Sequence, residues 1–262
     1  MRVGVFGAGG RMGATVCRAV EADPDLELVA AVDPHYAGLD LRTVVQGCEV
    51  HLEVSPAAEA LEMAGAEVAV DFTRVDAALD NLRWCADHGV HAVVGTTGFT
   101  DAMYEELRRR FTRSNCVIAP NFAIGAVLMM RFAELAAPYF DTAEIIELHH
   151  DQKIDAPSGT AMTTAERMAA AKSQWAADPT TKLVLDGARG SEGPAGIHVH
   201  SVRMRGMVAH QEVILGTTGQ TLTIRHDTTD RSSFMPGVVL ACKRIAGAQG
   251  VTVGLDELLD LR

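Results

Sequence analysis

The stretch Val3-Gly4-Val5-Phe6-Gly7-Ala8-Gly9-Gly10-Arg11-Met12-Gly13 limits the fold of this chain more than any other. Arg2–Phe6 reads as a strand and Arg11–Glu21 as a helix, so the glycines form a strand-to-helix turn. Gly7 permits the tight turn, Gly9 or Gly10 lets backbone approach a diphosphate, and Gly13 lets the helix lie close on the sheet. The unpaired N–H groups of the helix start then face an anion. A second strand, Glu27–Val32, ends at Asp33, which is placed to take the hydroxyls of an adenosine ribose. That context points to a dinucleotide site; a purely structural turn in a flavodoxin-like protein is the alternative. Asp33 repels a 2′-phosphate, and Pro34 stands where an arginine would hold one. Arg11 could still reach such a phosphate. The expected cofactor is therefore NADH, with NADPH tolerated.

Beyond this turn, short apolar strands alternate with helices. The strands are Glu67–Phe72, His91–Val94 and Cys116–Ala119; the helices are Asp76–His88 and Asp101–Phe111. Such alternation builds a doubly wound, Rossmann-type parallel sheet. Gly95-Thr96-Thr97-Gly98 and Ala119-Pro120-Asn121-Phe122 each follow a strand, so both open onto the carboxyl edge, where ligands sit in such sheets. A nicotinamide or ribose role is expected for them; each could instead be a plain connecting loop. After Pro120 the pattern changes. A helix over Ile124–Phe140, a strand over Ala143–Leu148 and a helix over Gly159–Lys172 precede three long alternating strands, Ile197–Met204, Val208–Leu215 and Thr221–His226. These predict an α+β substrate domain with an open mixed sheet, whose exposed face needs a cover and so predicts an oligomer. Phe234–Arg244 reads as a helix returning to the first domain. The expected domains are 1–122 with 232–262 for the dinucleotide, and 123–231 for substrate and assembly.

The net charge of −11 argues against nucleic acid or an anionic membrane as partner, since both need a basic footprint. No apolar run approaches the ~18 residues of a membrane span, and no export signal is visible, so the expected compartment is the cytoplasm. The cysteines, Cys17, Cys48, Cys85, Cys116 and Cys242, are scattered without a C-x-x-C pair and read as reduced, buried thiols.

The densest chemistry lies in Glu147-Leu148-His149-His150-Asp151-Gln152-Lys153-Ile154-Asp155-Ala156-Pro157-Ser158-Gly159-Thr160-Ala161. Ser158, Gly159 and Thr160 open a helix and form a small anion site from N–H groups, hydroxyls and the positive helix end. His150 and Lys153 add cationic donors, and His149 could transfer a proton near neutral pH. The combination suits a small dianionic substrate beside a hydride source; a surface histidine pair in a charged loop is the bland alternative. A zinc site is not expected. Adjacent His149 and His150 point to opposite faces of a strand, and Lys153 would oppose a cation. Two other classes stay open: a non-catalytic NADH-binding sensor, and a metal-dependent hydrolase using His149 and His200.

At this point the chain resembles the dihydrodipicolinate reductase (4-hydroxy-tetrahydrodipicolinate reductase) family of bacterial lysine biosynthesis, nearly end to end. The resemblance rests on Gly7–Gly13, Gly95–Gly98, Ala119–Phe122, Glu147–Ala161, His200-Ser201-Val202-Arg203, Val208-Ala209-His210-Gln211-Glu212, Thr223-Ile224-Arg225-His226-Asp227 and Ser233-Phe234-Met235-Pro236-Gly237. It implies a Rossmann domain completed by the C-terminal helix and a central domain whose sheets join in a homotetramer. It implies His149 as acid–base residue, Lys153 as proton donor, His150 as a substrate ligand, and Gly159 and Thr160 as carboxylate holders. The implied cofactor contacts are Gly7, Ala8, Gly9, Gly10, Arg11, Met12, Asp33, Gly95, Thr96, Thr97, Ala119, Pro120, Asn121 and Phe122. The reaction implied is NAD(P)H-dependent reduction of 4-hydroxy-tetrahydrodipicolinate with loss of water, with domain closure about a hinge near Asn121 and Ser232. The segment Ser173–Thr181, with Trp175, carries none of the motifs on which the resemblance rests and reads as a variable loop.

Overall fold

A computed structural model describes residues 1–261. The chain divides into two units, Met1–Phe122 with the chain from Phe234 on, and Ala123–Ser233. In order, the elements are β1 (Arg2–Phe6), α1 (Arg11–Ala22), β2 (Glu27–Val32), α2 (Leu41–Val44), α3 (Glu59–Met63), β3 (Val68–Asp71), α4 (Val75–His88), β4 (His91–Val94), α5 (Asp101–Arg110), β5 (Cys116–Ile118), α6 (Ile124–Ala136), β6 (Thr142–His149), α7 (Gly159–Ala171), β7 (Ser191–Glu192), β8 (His198–Arg203), β9 (Ala209–Thr217), β10 (Gln220–Thr228), α8 (Met235–Arg244) and β11 (Val251–Val253).

The first unit holds a parallel sheet ordered β11-β5-β4-β3-β1-β2. From β1 the chain steps outward to β2 and then returns to β3 on the other side of β1. That reversal puts the ligand crevice outside the carboxyl ends of β1 and β3. The strands are short and buried on both faces, as a doubly wound sheet requires. Phe6, Leu61, Leu82 and Ile118 are all but fully buried in its core, each contributing about 1.5–3 kcal/mol for burial. The C-terminal contribution exceeds the expected helix: α8 packs on α1, and β11 extends the sheet beside β5. Three residues are too few for a periodicity to show, so β11 has no sequence signal of its own. The short helices α2 and α3 were also illegible. The Leu61 side chain of α3 fills the space a Cβ on Gly4 would need, 2.7 Å away.

The second unit holds a mixed sheet ordered β10-β9-β6-β8-β7, with β6 and β8 parallel and the other pairs antiparallel. One face, carrying Ala143, Ile145, Val199, Val213 and Leu215, is buried; α6 and α7 pack on this sheet. The expected helix over Ile124–Phe140 ends at Ala136 and passes into a 3-10 turn over Ala137–Tyr139, because Pro138 has no N–H to continue it. No helix among the described residues is long and apolar enough to cross a membrane. All five cysteines are free and buried.

Candidate functional site

In the first unit, Gly7 sits at φ +65° and closes the turn by donating its N–H to the Val32 carbonyl at 2.7 Å. A Cβ on Gly13 would lie 2.0 Å from the Gly7 carbonyl oxygen, so α1 meets the turn with no room for a side chain. The N-cap of α1 is Gly10; no side chain caps it and no acid stands in the first turn. The N–H groups of the first turn, from Arg11 and Met12 on, are therefore not satisfied by a cap and suit a diphosphate. Asp33 is buried and accepts the N–H of Gly9 at 3.0 Å and of His35 at 3.1 Å. With both of its oxygens oriented by backbone, the carboxylate has lone pairs left for ribose hydroxyls. A cavity of about 600 Å³ opens here, lined by Gly7, Asp33, Pro34, Phe72, Thr73 and Arg74 among others.

Two of these glycines are crowded by aromatic rings of the protein itself. The Tyr36 ring fills the space over Gly9, 2.2 Å from where a Cβ would stand, and Phe72 does the same over Gly95 at 1.9 Å. Close approach there is to the protein's own aromatic rings. Thr96 is buried and ties its loop to the β3 turn by donating to the Thr73 carbonyl at 2.8 Å, while Thr97 is exposed. Ala8, Ala119 and Phe122 have buried side chains, and the Phe122 ring packs tilted against Phe72, 54° between planes and 5.6 Å between centroids. Their side chains are core, so only their backbone is available to a ligand; Pro120 is exposed and Asn121 half-buried. Arg74 was missed by sequence reading. Its signal is a basic residue at the N-cap of α4, in the short turn that follows β3.

In the second unit, the end of β6 and the start of α7 bring the His149–Thr160 segment together. Side chains alternate along β6, so Ala143, Ile145, Glu147 and His149 share its buried face. Glu147 is fully buried and accepts from His149 Nδ1 at 2.5 Å, from Arg203 Nη1 and Nη2 at 2.8 Å each, and from the Ser158 N–H at 3.1 Å. Arg203 also donates to the Asp155 carbonyl at 2.6 Å. Burial would raise the Glu147 carboxyl, but hydrogen bonds from His149, Arg203 and Ser201 outweigh it and hold the group down at about 2. Neither Glu147 nor Arg203 was assigned a role from sequence. An acid continuing the inward stripe of Ala143 and Ile145 was the available signal.

His150 lies beyond β6 and is exposed; its Nδ1 accepts the Gln152 N–H at 3.3 Å. Lys153 Nζ meets both Asp155 oxygens, at 2.8 and 2.7 Å. Ser158 departs from expectation. Its hydroxyl oxygen caps α7 by accepting the Ala161 N–H at 3.2 Å, and its own N–H is given to Glu147. The Ser158 N–H is thereby used within the protein, and the first turn of α7 carries no acids. Above Gly159 the space is open, with nothing within 4 Å of a built Cβ.

The reading of a metal held by His149 and His200 fails. By the β6–β8 register His149 pairs with Arg203 and Ile146 with His200, so the two histidines stand on opposite sheet faces. His200 Nε2 instead donates to Glu144 Oε2 at 2.6 Å. Among the described residues no group of three or more His, Cys, Asp or Glu is arranged to hold a metal. The segment Ser173–Thr181 borders a separate cavity of about 450 Å³ beside Arg189 and His198.

Comparison with known proteins agrees across the whole chain. The family models described as "Dihydrodipicolinate reductase, N-terminus" and "Dihydrodipicolinate reductase, C-terminus" match residues 1–122 and 125–259. The chain is 51% identical to the 4-hydroxy-tetrahydrodipicolinate reductase of Mycolicibacterium smegmatis, covering 100% of both proteins. It is 49% identical to that of Cutibacterium acnes, covering 100% of this chain and 99% of that protein. Among solved structures it is similar to dipicolinate-bound dihydrodipicolinate reductase from Paenisporosarcina sp. TG-14, with a TM-score of 0.86, 39% identity and 98% of each chain covered. An amine dehydrogenase from Mycobacterium smegmatis, at 16% identity and TM-score 0.66 over 96% of this chain and 94% of that one, shares the fold alone.

Proposed function

The chain belongs to the dihydrodipicolinate reductase family, and on that premise we propose that it reduces 4-hydroxy-tetrahydrodipicolinate to tetrahydrodipicolinate with loss of water, in lysine and diaminopimelate biosynthesis. The observation that carries this reading is the run of His149 at the end of β6 with His150 and Lys153 in the loop that leads to α7, in a chain that matches both family halves.

The first unit fits a nicotinamide dinucleotide: an uncapped α1 N-terminus, a buried Asp33 and a cavity between them. When bound, the reduced nicotinamide supplies the hydride. Asp33 and Pro34 favour NADH, and Arg74 lining the same cavity leaves NADPH acceptable. The substrate is a six-membered cyclic imine with two carboxylates. Gly159 and Thr160 hold one carboxylate at the helix start, and His150 adds a donor. Loss of the 4-hydroxyl as water leaves a conjugated imine; hydride then adds at C4 and a proton at C3. His149 and Lys153 supply and remove the protons of these steps, and the cations stabilise charge that builds on the ring during transfer.

The exposed face of the second sheet supports a homotetramer. Ile146, Leu148, Val202 and Ile214 form its half-buried apolar centre, flanked by the Glu144–His200 and Arg225–Glu212 pairs. Such a face is a liability unless a second copy covers it. A biosynthetic reductase draws on NADH where the cofactor is made, so the cytoplasm is the compartment proposed.

The test is loss of NADH absorbance with freshly generated 4-hydroxy-tetrahydrodipicolinate, repeated with NADPH. Rapid oxidation of at least one cofactor is expected. No oxidation of either would overturn the reading in favour of a non-catalytic binder.

A further inference from the structure

Glu147 occupies the place of a core residue yet carries a charge. Ala143 and Ile145 precede it on the same buried face, where an apolar side chain would serve packing alone. Burying a carboxylate costs several kcal/mol unless it is paired and its lone pairs are filled. Here both oxygens are filled, and by groups from three different elements. Oε2 takes His149 Nδ1 and Arg203 Nη1; Oε1 takes Arg203 Nη2 and the Ser158 N–H. Arg203 extends the chain of contacts to the Asp155 carbonyl, two residues from Lys153.

We infer that Glu147 is the positioning residue of this site: it holds His149 through Nδ1, leaves Nε2 as the proton-exchanging atom, and through Arg203 and Ser158 sets the Lys153 loop and the start of α7. The chemistry of the donor set requires the tautomer. A carboxylate only accepts, so the ring nitrogen beside it is the one that bears hydrogen. A carboxylate held down at about 2 stays ionised across the working range, which keeps that assignment throughout. One residue thereby orders the acid–base group, the cationic loop and the anion-facing helix end. This role rests on the reductase reading above, but its first test does not need the substrate.

That test is ¹⁵N NMR of the histidine-labelled, NADH-loaded protein, with the His149 signals assigned by their loss in His149→Asn. Above the histidine range the ring is expected as the Nδ1–H tautomer with an imine-type Nε2; an Nε2–H tautomer overturns the proposal. In Glu147→Gln the amide donates to Nδ1, so the ring switches to Nε2–H. There kcat falls on the order of 100-fold, KM changes far less, and NADH affinity is unchanged. In a His149→Asn background the same substitution costs little more, because the two act as a unit. Fully additive losses would show a structural role only and overturn the proposal. Should Glu147→Gln fail to fold, the wild-type tautomer still decides. Absence of reductase activity with the expected tautomer would count against the functional reading, not against the Glu147 contact.

Discussion

Lys153 shows how one residue links recognition to chemistry. Its ammonium is held by both oxygens of Asp155, which is itself more than half exposed, so a substrate group competes with a solvated partner that it displaces at little cost. Lys153→Ala is expected to cut turnover by ~10²–10⁴-fold, the usual worth of a positioned proton donor, with NADH affinity nearly unchanged; near-normal turnover would remove Lys153 from the mechanism. Gly159 gives a different signature. Nothing lies within 4 Å of a Cβ added there, so Gly159→Ala should melt within a degree or two of wild type. By closing the space above the helix start it should raise KM for substrate, and an unchanged KM would mean that no carboxylate sits there. Glu147 predicts a pH effect with a definite sign. Its carboxyl lies at about 2, below the ordinary 4.5. Stability from a depressed carboxyl is fully present above the ordinary value and is lost as pH falls toward the folded-state value. Thermal melts should therefore fall between about pH 4.5 and pH 2, and Glu147→Gln should be less stable at neutrality but flatter across that window. An equally steep acid slope in the variant would place the effect elsewhere.

At the scale of elements, the turn from β1 into α1 depends on backbone meeting backbone. Gly13 lies against the Gly7 carbonyl, where neither partner is a flexible side chain that could move aside. Gly13→Ala should lift α1 from the sheet, cost about 1–3 kcal/mol as overpacking does, and weaken NADH binding at least tenfold, because the N–H groups aimed at the diphosphate move with the helix. Fluorescence titration with NADH and a thermal melt measure the two losses; retained affinity would separate α1 from the cofactor. This turn was legible because strand, glycines and helix are contiguous. The reasons for Gly9 and Gly95 were not, since the rings that crowd them, Tyr36 and Phe72, come from other segments. A Ser-Gly-Thr start suits both an anion and an N-cap, and the cap role of Ser158 shows only once the Ala161 N–H meets its hydroxyl oxygen and Glu147 takes its N–H.

For the whole molecule, the consequential surface is the face of the mixed sheet that carries Ile146, Leu148, Val202 and Ile214. Ile146→Lys places a charge at its apolar centre. If the face joins copies of the chain, sedimentation should show wild type as a tetramer and the variant as smaller, still folded species. A monomeric wild type would refute the assembly. The same face carries His198 and His200, whose acidic partners, Asp178 and Glu144, belong to the separate cavity bordered by the Ser173–Thr181 segment.

The sequence by itself determined the alternation of elements, the cofactor turn, the cationic loop before α7 and the class of reaction, because each is written in contiguous residues whose chemistry acts locally. Tertiary structure alone decided which of those residues work together. Strand register separated His149 from His200 across the sheet, and it brought Arg203, 56 residues away, onto Glu147. It also recruited β11 to the edge of a sheet whose other strands lie more than a hundred residues earlier. Such pairings depend on loop closure and burial, quantities that a local pattern does not carry. The buried carboxylate at the centre of the site is their product.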